Sequence, residues 1–377
     1  MNRNLSFSLS VLVSLLLHGP LNARLDLLSG DAAAGSPGPS RVWPTHLENT
    51  TLLELPKDIL VRQHQQIDNF FLGQIQASQA VRDKIWKPDF SSAASYLASV
   101  RDHRKLLTEM LGLIKVQPEQ LKANRLVLAE GKIRIEEIRV SIEPGFDVCA
   151  LVFFPETSVP TAAVIAIPSE NQTRESFAGV TVGESPKDWL TSLLRRGVTV
   201  AIPVMVERSF DHELSQLSWG AKMTRRQLLH RVGFVVGRTL TGIEVQQVMA
   251  LRMFLASLKE IDAKRVAVFG AEQGGMTALY AAAADEAFTG AVVVDYFQTR
   301  EGCWREPVDR MLYGQLLSFG DAEVAALIAP RPLVVLFQPS GPIDSKVVDP
   351  EAKRALRFYR SRGRTCIRLR SEFRGRG

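Results

Sequence analysis

The 377-residue sequence predicts an α/β fold, a mostly parallel, doubly wound sheet preceded by a helical segment and an antiparallel hairpin. Three observations carry that prediction. Short runs of Val, Ile and Ala recur between helical patterns in the second half of the chain. An alternating run and an apolar run flank a Pro-Gly turn before them, and apolar residues at helical spacing fill the stretch before that hairpin. Continuous apolar runs mark strands buried on both faces of a parallel sheet. Their alternation with helices implies right-handed crossovers in a doubly wound arrangement.

The elements follow in order. From Lys57 to Leu113, Leu60, Ile67, Phe71 and Ile75, then Val81 and Ile85, then Tyr96, Val100, Leu107 and Leu111 recur at helical spacing. Pro88 divides this stretch into at least two helices. No catalytic residue type concentrates there, so it reads as a packing or lid element. Ile133–Ile142 alternates and Val148–Phe154 is apolar, with Pro144-Gly145 as the turn of a β-hairpin. Cys149 is a small core residue of the second hairpin strand. The buried strands are Ala163–Ile167, Val198–Ile202, Val266–Phe269, Ala291–Val294 and Leu333–Phe337. Connecting helices carry Trp189, Leu190, Leu193 and Leu194, and later Val245, Val248, Met249 and Met253. A helix over Pro350–Arg360 leads to a last strand at Thr365–Leu369. No internal repeat is evident.

Composition excludes several function classes. With 46% hydrophobic and 23% charged residues, the chain has the make-up of a folded protein rather than a disordered one. Lys and Arg total 46 against 40 Asp and Glu, but ten of the basic residues and one acid lie in Lys353–Gly377. The first 352 residues therefore carry 36 basic and 39 acidic side chains, a net of −3, which argues against a nucleic-acid-coating protein. Cys149, Cys303 and Cys366 are too few for a disulfide scaffold, and no Cys/His spacing suits a metal. No cofactor is called for.

Met1–Ala23 reads as a signal peptide, with Arg3 at its start, the apolar Leu5–Leu17 and the small Ala23 at the cleavage point. The alternative is an uncleaved membrane anchor. The expected product starts near Arg24 and is secreted or periplasmic, with no transmembrane span after the signal. Residues 24–51 form a flexible linker, with Asp31–Pro44 rich in Ala, Gly, Ser and Pro. A helical segment over 52–117 and an α/β domain over 118–369 follow. Residues 370–377 are a basic tail, read as the product of truncation or an altered frame rather than as a nucleic-acid or lipid-binding arm.

The most informative stretch is Arg265-Val266-Ala267-Val268-Phe269-Gly270-Ala271-Glu272-Gln273-Gly274-Gly275-Met276. A buried strand enters a glycine-bearing turn and then an Ala-rich helix ending near Asp285. This is the strand–turn–helix context of a nucleophile elbow, Gly-x-Ser-x-Gly in its usual form. On this motif, Arg134 to Leu369 resembles the α/β-hydrolase family, and more narrowly secreted bacterial acetyl-xylan esterases and dienelactone hydrolases. Ala329-Pro330-Arg331-Pro332-Leu333 is similar to the step before the acid-bearing strand of such esterases.

The resemblance implies an elbow of Gly270, Gln273, Gly274 and Gly275, with the nucleophile position on Glu272. The acid position falls on Asp344, or on Asp349 or Asp295. The oxyanion-hole loop falls on Pro168-Ser169-Glu170-Asn171-Gln172. The family's histidine follows the last strand, yet all six histidines here, at 18, 46, 64, 103, 212 and 230, precede the elbow. His212 is the candidate substitute, in a loop after Val198–Ile202, whereas His230 reads as structural. Arg238 and Glu244 are placed to pair across a helix start.

A serine hydrolase needs a hydroxyl whose proton a base can take. Glu272 has none, and the helix dipole favours its charged form, which opposes an oxyanion. Relatives with Asp at the elbow use a carboxylate nucleophile. The extra methylene of Glu displaces the attacking oxygen by roughly 1.5 Å, and misplacement on that scale costs ~10²-fold.

Three functions remain. The first is an exported hydrolase-fold protein without serine-hydrolase competence that keeps a site for a small ester or carbohydrate ligand. The second is an active secreted ester hydrolase with a non-standard site. The third is a partner-binding protein acting through Lys57–Leu113.

Overall fold

The computed structural model describes residues 49–50, 58–206, 223–338, 342–359 and 367–370. The signal, the linker apart from residues 49–50, His212, Cys366 and the basic tail apart from Arg370 lie outside the described residues. The chain divides into two compact units, Met1–His64 and Gln65–Gly377. Helix α1 (Ile59–Ile85) crosses that boundary, and the sheet belongs to the second unit.

Among the described residues the sheet has nine strands, ordered β1-β2-β3-β5-β4-β6-β7-β8-β9. They are β1 (Lys122–Ala129), β2 (Ile133–Glu143), β3 (Phe146–Pro155), β4 (Thr161–Ile167), β5 (Val198–Pro203), β6 (Ile261–Ala271), β7 (Ala291–Val294), β8 (Leu333–Leu336) and β9 (Ile367–Arg370). The first four in that order pair antiparallel, and every later pair is parallel. Gly145, at φ 79°, lets the hairpin close between Glu143 and Phe146. The sheet is therefore mixed but mostly parallel, and β6 lies inside it, between β4 and β7.

Side-chain alternation splits the core in two. Ala150, Val152 and Phe154 of β3 face a layer that includes Val245, Val248 and Leu251 of α7 (Leu240–Ser257) and Met276, Leu279 and Ala283 of α8 (Gln273–Ala284). Leu151 and Phe153 face a smaller layer with Phe177 of α4 (Arg174–Ala178) and Leu190 and Leu194 of α5 (Asp188–Arg195).

The helices that open the second unit are docked by hydrogen bonds as well as burial. Trp86, just past α1, donates to the Ser318 carbonyl at 2.8 Å. Tyr96 of α2 (Ala93–Ser99) donates to Ala326 O at 2.7 Å, and Arg104 of α3 (Arg101–Leu111) donates to Leu327 O at 2.9 Å. Both acceptors lie on α10 (Asp321–Ile328), beyond the short α9 (Gln315–Ser318).

Three local readings change. β1 has no counterpart among the predicted elements, because Leu126, Val127 and Leu128 are exposed on an edge strand rather than alternating into a core. The helix expected from Pro350 begins five residues earlier, as α11 (Ser345–Tyr359). Arg238 does not pair with Glu244; it donates to Gly112 O, and Glu244 pairs instead with Arg226 of α6 (Arg225–Phe234).

Candidate functional site

The site lies where β6 turns into α8. Glu272 is the helix cap residue, with φ 50° and ψ −114°. That conformation costs a side-chain-bearing residue about 1–3 kcal/mol and persists only where its surroundings enforce it. Here they do. The Glu272 N–H donates to Val294 O at 2.9 Å, and the Met276 N–H donates to Glu272 O at 3.0 Å. A methyl group on Gly270 would collide with Gly274 O, and one on Gly274 with the carbonyls of Ile167 and Pro168. Gly275 lies against Val294 O in the same way. The turn can only close because these positions lack a β-carbon.

Glu272 is half-buried, and burial raises the pKa of its carboxyl above the ordinary value. The charges of Glu170 and Asp295 push in the same direction, and Arg310 opposes them. Desolvation and the two neighbouring carboxylates thus outweigh the favourable charge of Arg310. Asp295, at the end of β7, also has φ 50°. Its carboxylate is engaged by Gln338, whose N–H donates at 2.9 Å and whose Nε2 donates at 2.7 Å. Asp344 is exposed and sits at the start of α11, where its Oδ1 accepts from the Lys346 N–H at 2.9 Å. His230 is buried on α6, which lowers its pKa.

The loop after β4 bears on chemistry most directly. In a nucleophile elbow, the N–H after the nucleophile and an N–H from the corresponding strand's loop form the oxyanion hole. Here the Gln273 N–H donates to Glu170 Oε2 at 3.2 Å. Arg310 Nη2 donates to Glu170 Oε1 at 2.8 Å, and Arg310 Nε donates to Gln273 Oε1 at 2.8 Å. Three hydrogen bonds therefore close a ring through Gln273, Glu170 and Arg310. Gln273 and Glu170 are buried, and Arg310 nearly so.

A second layer of charge holds that ring. Gln273 Nε2 donates to Glu244 Oε2 at 3.2 Å. Glu244 in turn is bridged by the fully buried Arg226, whose Nη2 lies 3.1 Å from Glu244 Oε2 and whose Nε lies 2.8 Å from Asp309 Oδ2. On the other side, Glu306 accepts from both Arg310 and Arg300, and Arg300 pairs with buried Asp321 at 2.8 Å. Sequence reasoning named Gln273 and the Glu170 loop but missed Arg226, Arg300, Arg310 and Asp309. No local pattern joins these residues.

A cavity of about 710 Å³ opens beside Glu170, lined by Asn171, Arg174, Met205, Arg225 and Leu229 among others. It lies at the carboxyl ends of β4 and β5, where α/β sheets bind ligands. Another hollow, of about 560 Å³, borders Thr161, Thr199 and Glu260 at the opposite ends of the strands, away from the elbow. Among the described residues no group of His, Cys, Asp and Glu side chains is arranged to hold a metal, and no helix is long and apolar enough to cross a membrane.

No family model and no curated protein matches the sequence. Solved structures do. A candidate acetyl xylan esterase from Bacteroides fragilis superposes with a TM-score of 0.58 at 15% identity, over 79% of this chain and 81% of that one. A glucuronoyl esterase from Solibacter usitatus gives 0.53 at 18% identity, over 73% and 83% of the two chains. A promiscuous CE15 esterase from a marine bacterial metagenome gives 0.53 at 14% identity, over 75% and 88%. With its strand order, its elbow after β6 and these neighbours, the chain has the α/β-hydrolase fold.

Proposed function

We propose that the protein is an exported α/β-hydrolase-fold protein of esterase-like ancestry that binds a small ester or carbohydrate ligand without forming a serine-type acyl-enzyme. The observation that carries this reading is the elbow residue itself. Glu272 stands in the strained position where the fold presents its nucleophile. It offers a carboxylate in place of a hydroxyl. Glu170 adds a second negative group where a tetrahedral intermediate would place its own charge. The cavity beside Glu170 has the size of a small-ligand site. The structural neighbours are named as an acetyl xylan esterase and a glucuronoyl esterase, which supports an esterified saccharide as the ligand class. Export rests on the leader-like Met1–Ala23.

The test is calorimetric titration of the protein with acetylated xylo-oligosaccharides, with released acetate assayed in the same sample. Saturable binding without catalytic acetate release is expected. Neither binding nor turnover with any acylated saccharide would remove the ligand-binding reading.

A second reading follows from the raised proton affinity of Glu272, which lets its carboxyl hold a proton more readily than an ordinary glutamate and so take part in proton transfer. In it, the protein is an ester hydrolase with a carboxylate-based site. It requires that acetate release depend on Glu272.

A further inference from the structure

The ring around Gln273 carries an inference that rests on the ligand-binding reading and deepens it. The geometry points to Glu170 as a built-in plug: its carboxylate fills the anion position formed by the Gln273 N–H and the Arg310 guanidinium, and so excludes external carboxylates and ester oxyanions.

The donors identify the position. A backbone N–H at the head of a 12-residue helix and an arginine side chain converge on one carboxylate, at 3.2 and 2.8 Å. Both donors would serve an external carboxylate or an oxyanion equally well. The occupant comes from the loop where the fold places the other half of its oxyanion hole.

The cradle does not depend on its occupant. Arg310 is also held by Gln273 Oε1 at 2.8 Å and reaches Glu306 at 3.5 Å. Gln273 is held by Glu244. Removing the Glu170 carboxylate therefore leaves an arginine and a helix-head N–H aimed at a small, sheltered space with the charge to attract an anion. A tethered group acts at an effective concentration of millimolar or more, and far above that when preorganised. An external monocarboxylate at millimolar concentration cannot compete with Glu170 while it stays in place.

The experiment measures thermal midpoints of wild type, Glu170→Ala, Glu170→Gln and Glu170→Ala/Arg310→Ala. Sodium acetate replaces sodium chloride at constant ionic strength. Acetate is expected to raise the midpoint of Glu170→Ala progressively, as a ligand that binds only the native state does. Wild type and Glu170→Gln, whose side chains fill the space, should not respond, and the double variant should lose the response. Folding of Glu170→Ala only when acetate is present would support the plug equally.

A folded Glu170→Ala that ignores acetate would overturn it, as would an equal response in all four proteins. So would a Glu170→Ala that fails to fold with and without acetate while Glu170→Gln folds. These outcomes are independent of the titration with acetylated saccharide. A missing acetate effect leaves saccharide binding by wild type intact, and missing saccharide binding leaves the acetate effect intact.

Discussion

At the scale of single residues, Glu272 combines a strained backbone with a carboxyl group in an unfavourable field, and each part has its own consequence. Glycine adopts φ 50° with ψ −114° freely, whereas a β-carbon there costs about 1–3 kcal/mol. The extra freedom of glycine in the unfolded chain returns roughly 0.5–1 kcal/mol of that. Glu272→Gly should therefore raise unfolding stability by about 1 kcal/mol, read from denaturant midpoints. Gly270→Ala should lower it by ~1–3 kcal/mol or more, because the new methyl meets the Gly274 carbonyl. The charge is tested by pH. Burial, Glu170 and Asp295 raise the Glu272 pKa in the native state, so the native protein binds this proton more tightly than the unfolded chain does. The stability tied to that proton is complete below the unfolded value, near 4.5, and is lost as pH rises through the raised native value. Glu272→Gln should thus melt above wild type at pH 8, with the gap closing as the pH approaches 4. An equal gap at both pH values would place the effect in packing rather than charge.

At the scale of elements, the site is held by ions that join segments far apart in the chain. Arg226 on α6 binds Glu244 on α7 and Asp309 in the loop before α9, and all three side chains are fully buried. Removing one member of such a group leaves uncompensated buried charge and costs about 3–5 kcal/mol. Arg226→Ala should lose stability on that scale in urea titrations, with weakened ligand binding wherever the protein still folds. The elements themselves were largely legible, since strands buried on both faces need continuous apolar runs, and Pro144-Gly145 announced its hairpin. β1 was illegible because an edge strand with an exposed Leu126-Val127-Leu128 run has no burial alternation to read. The start of α11 was hidden by Pro350, which reads as a first-turn residue but lies five residues inside the helix. The elbow was legible because its glycines answer a local steric demand. The Glu170–Arg310 pair was not, because 140 residues separate the partners and nothing local marks either one.

At the scale of the whole second unit, a mostly parallel sheet with helices on both faces brings the ends of β4, β6 and β7 together, and with them Glu170, Glu272 and Asp295. The fold supplies a rigid stage, and the residues on it decide the chemistry. In the proposed function, three carboxylates and a clamped arginine hold a ligand and oppose the build-up of negative charge on it. The most direct measurement is kcat for 4-nitrophenyl acetate with wild type and Glu272→Ala, after circular dichroism shows that both are folded. Residual acceleration of roughly 10³–10⁴-fold over water can persist in an incomplete site, so a slow wild-type rate decides nothing alone. Glu272→Ala is expected to leave that rate unchanged or slightly higher, because it removes a charge that opposes the oxyanion. A fall of ~100-fold or more, equivalent to ~2.7 kcal/mol of lost transition-state stabilisation, would contradict it and establish a carboxylate-based hydrolase.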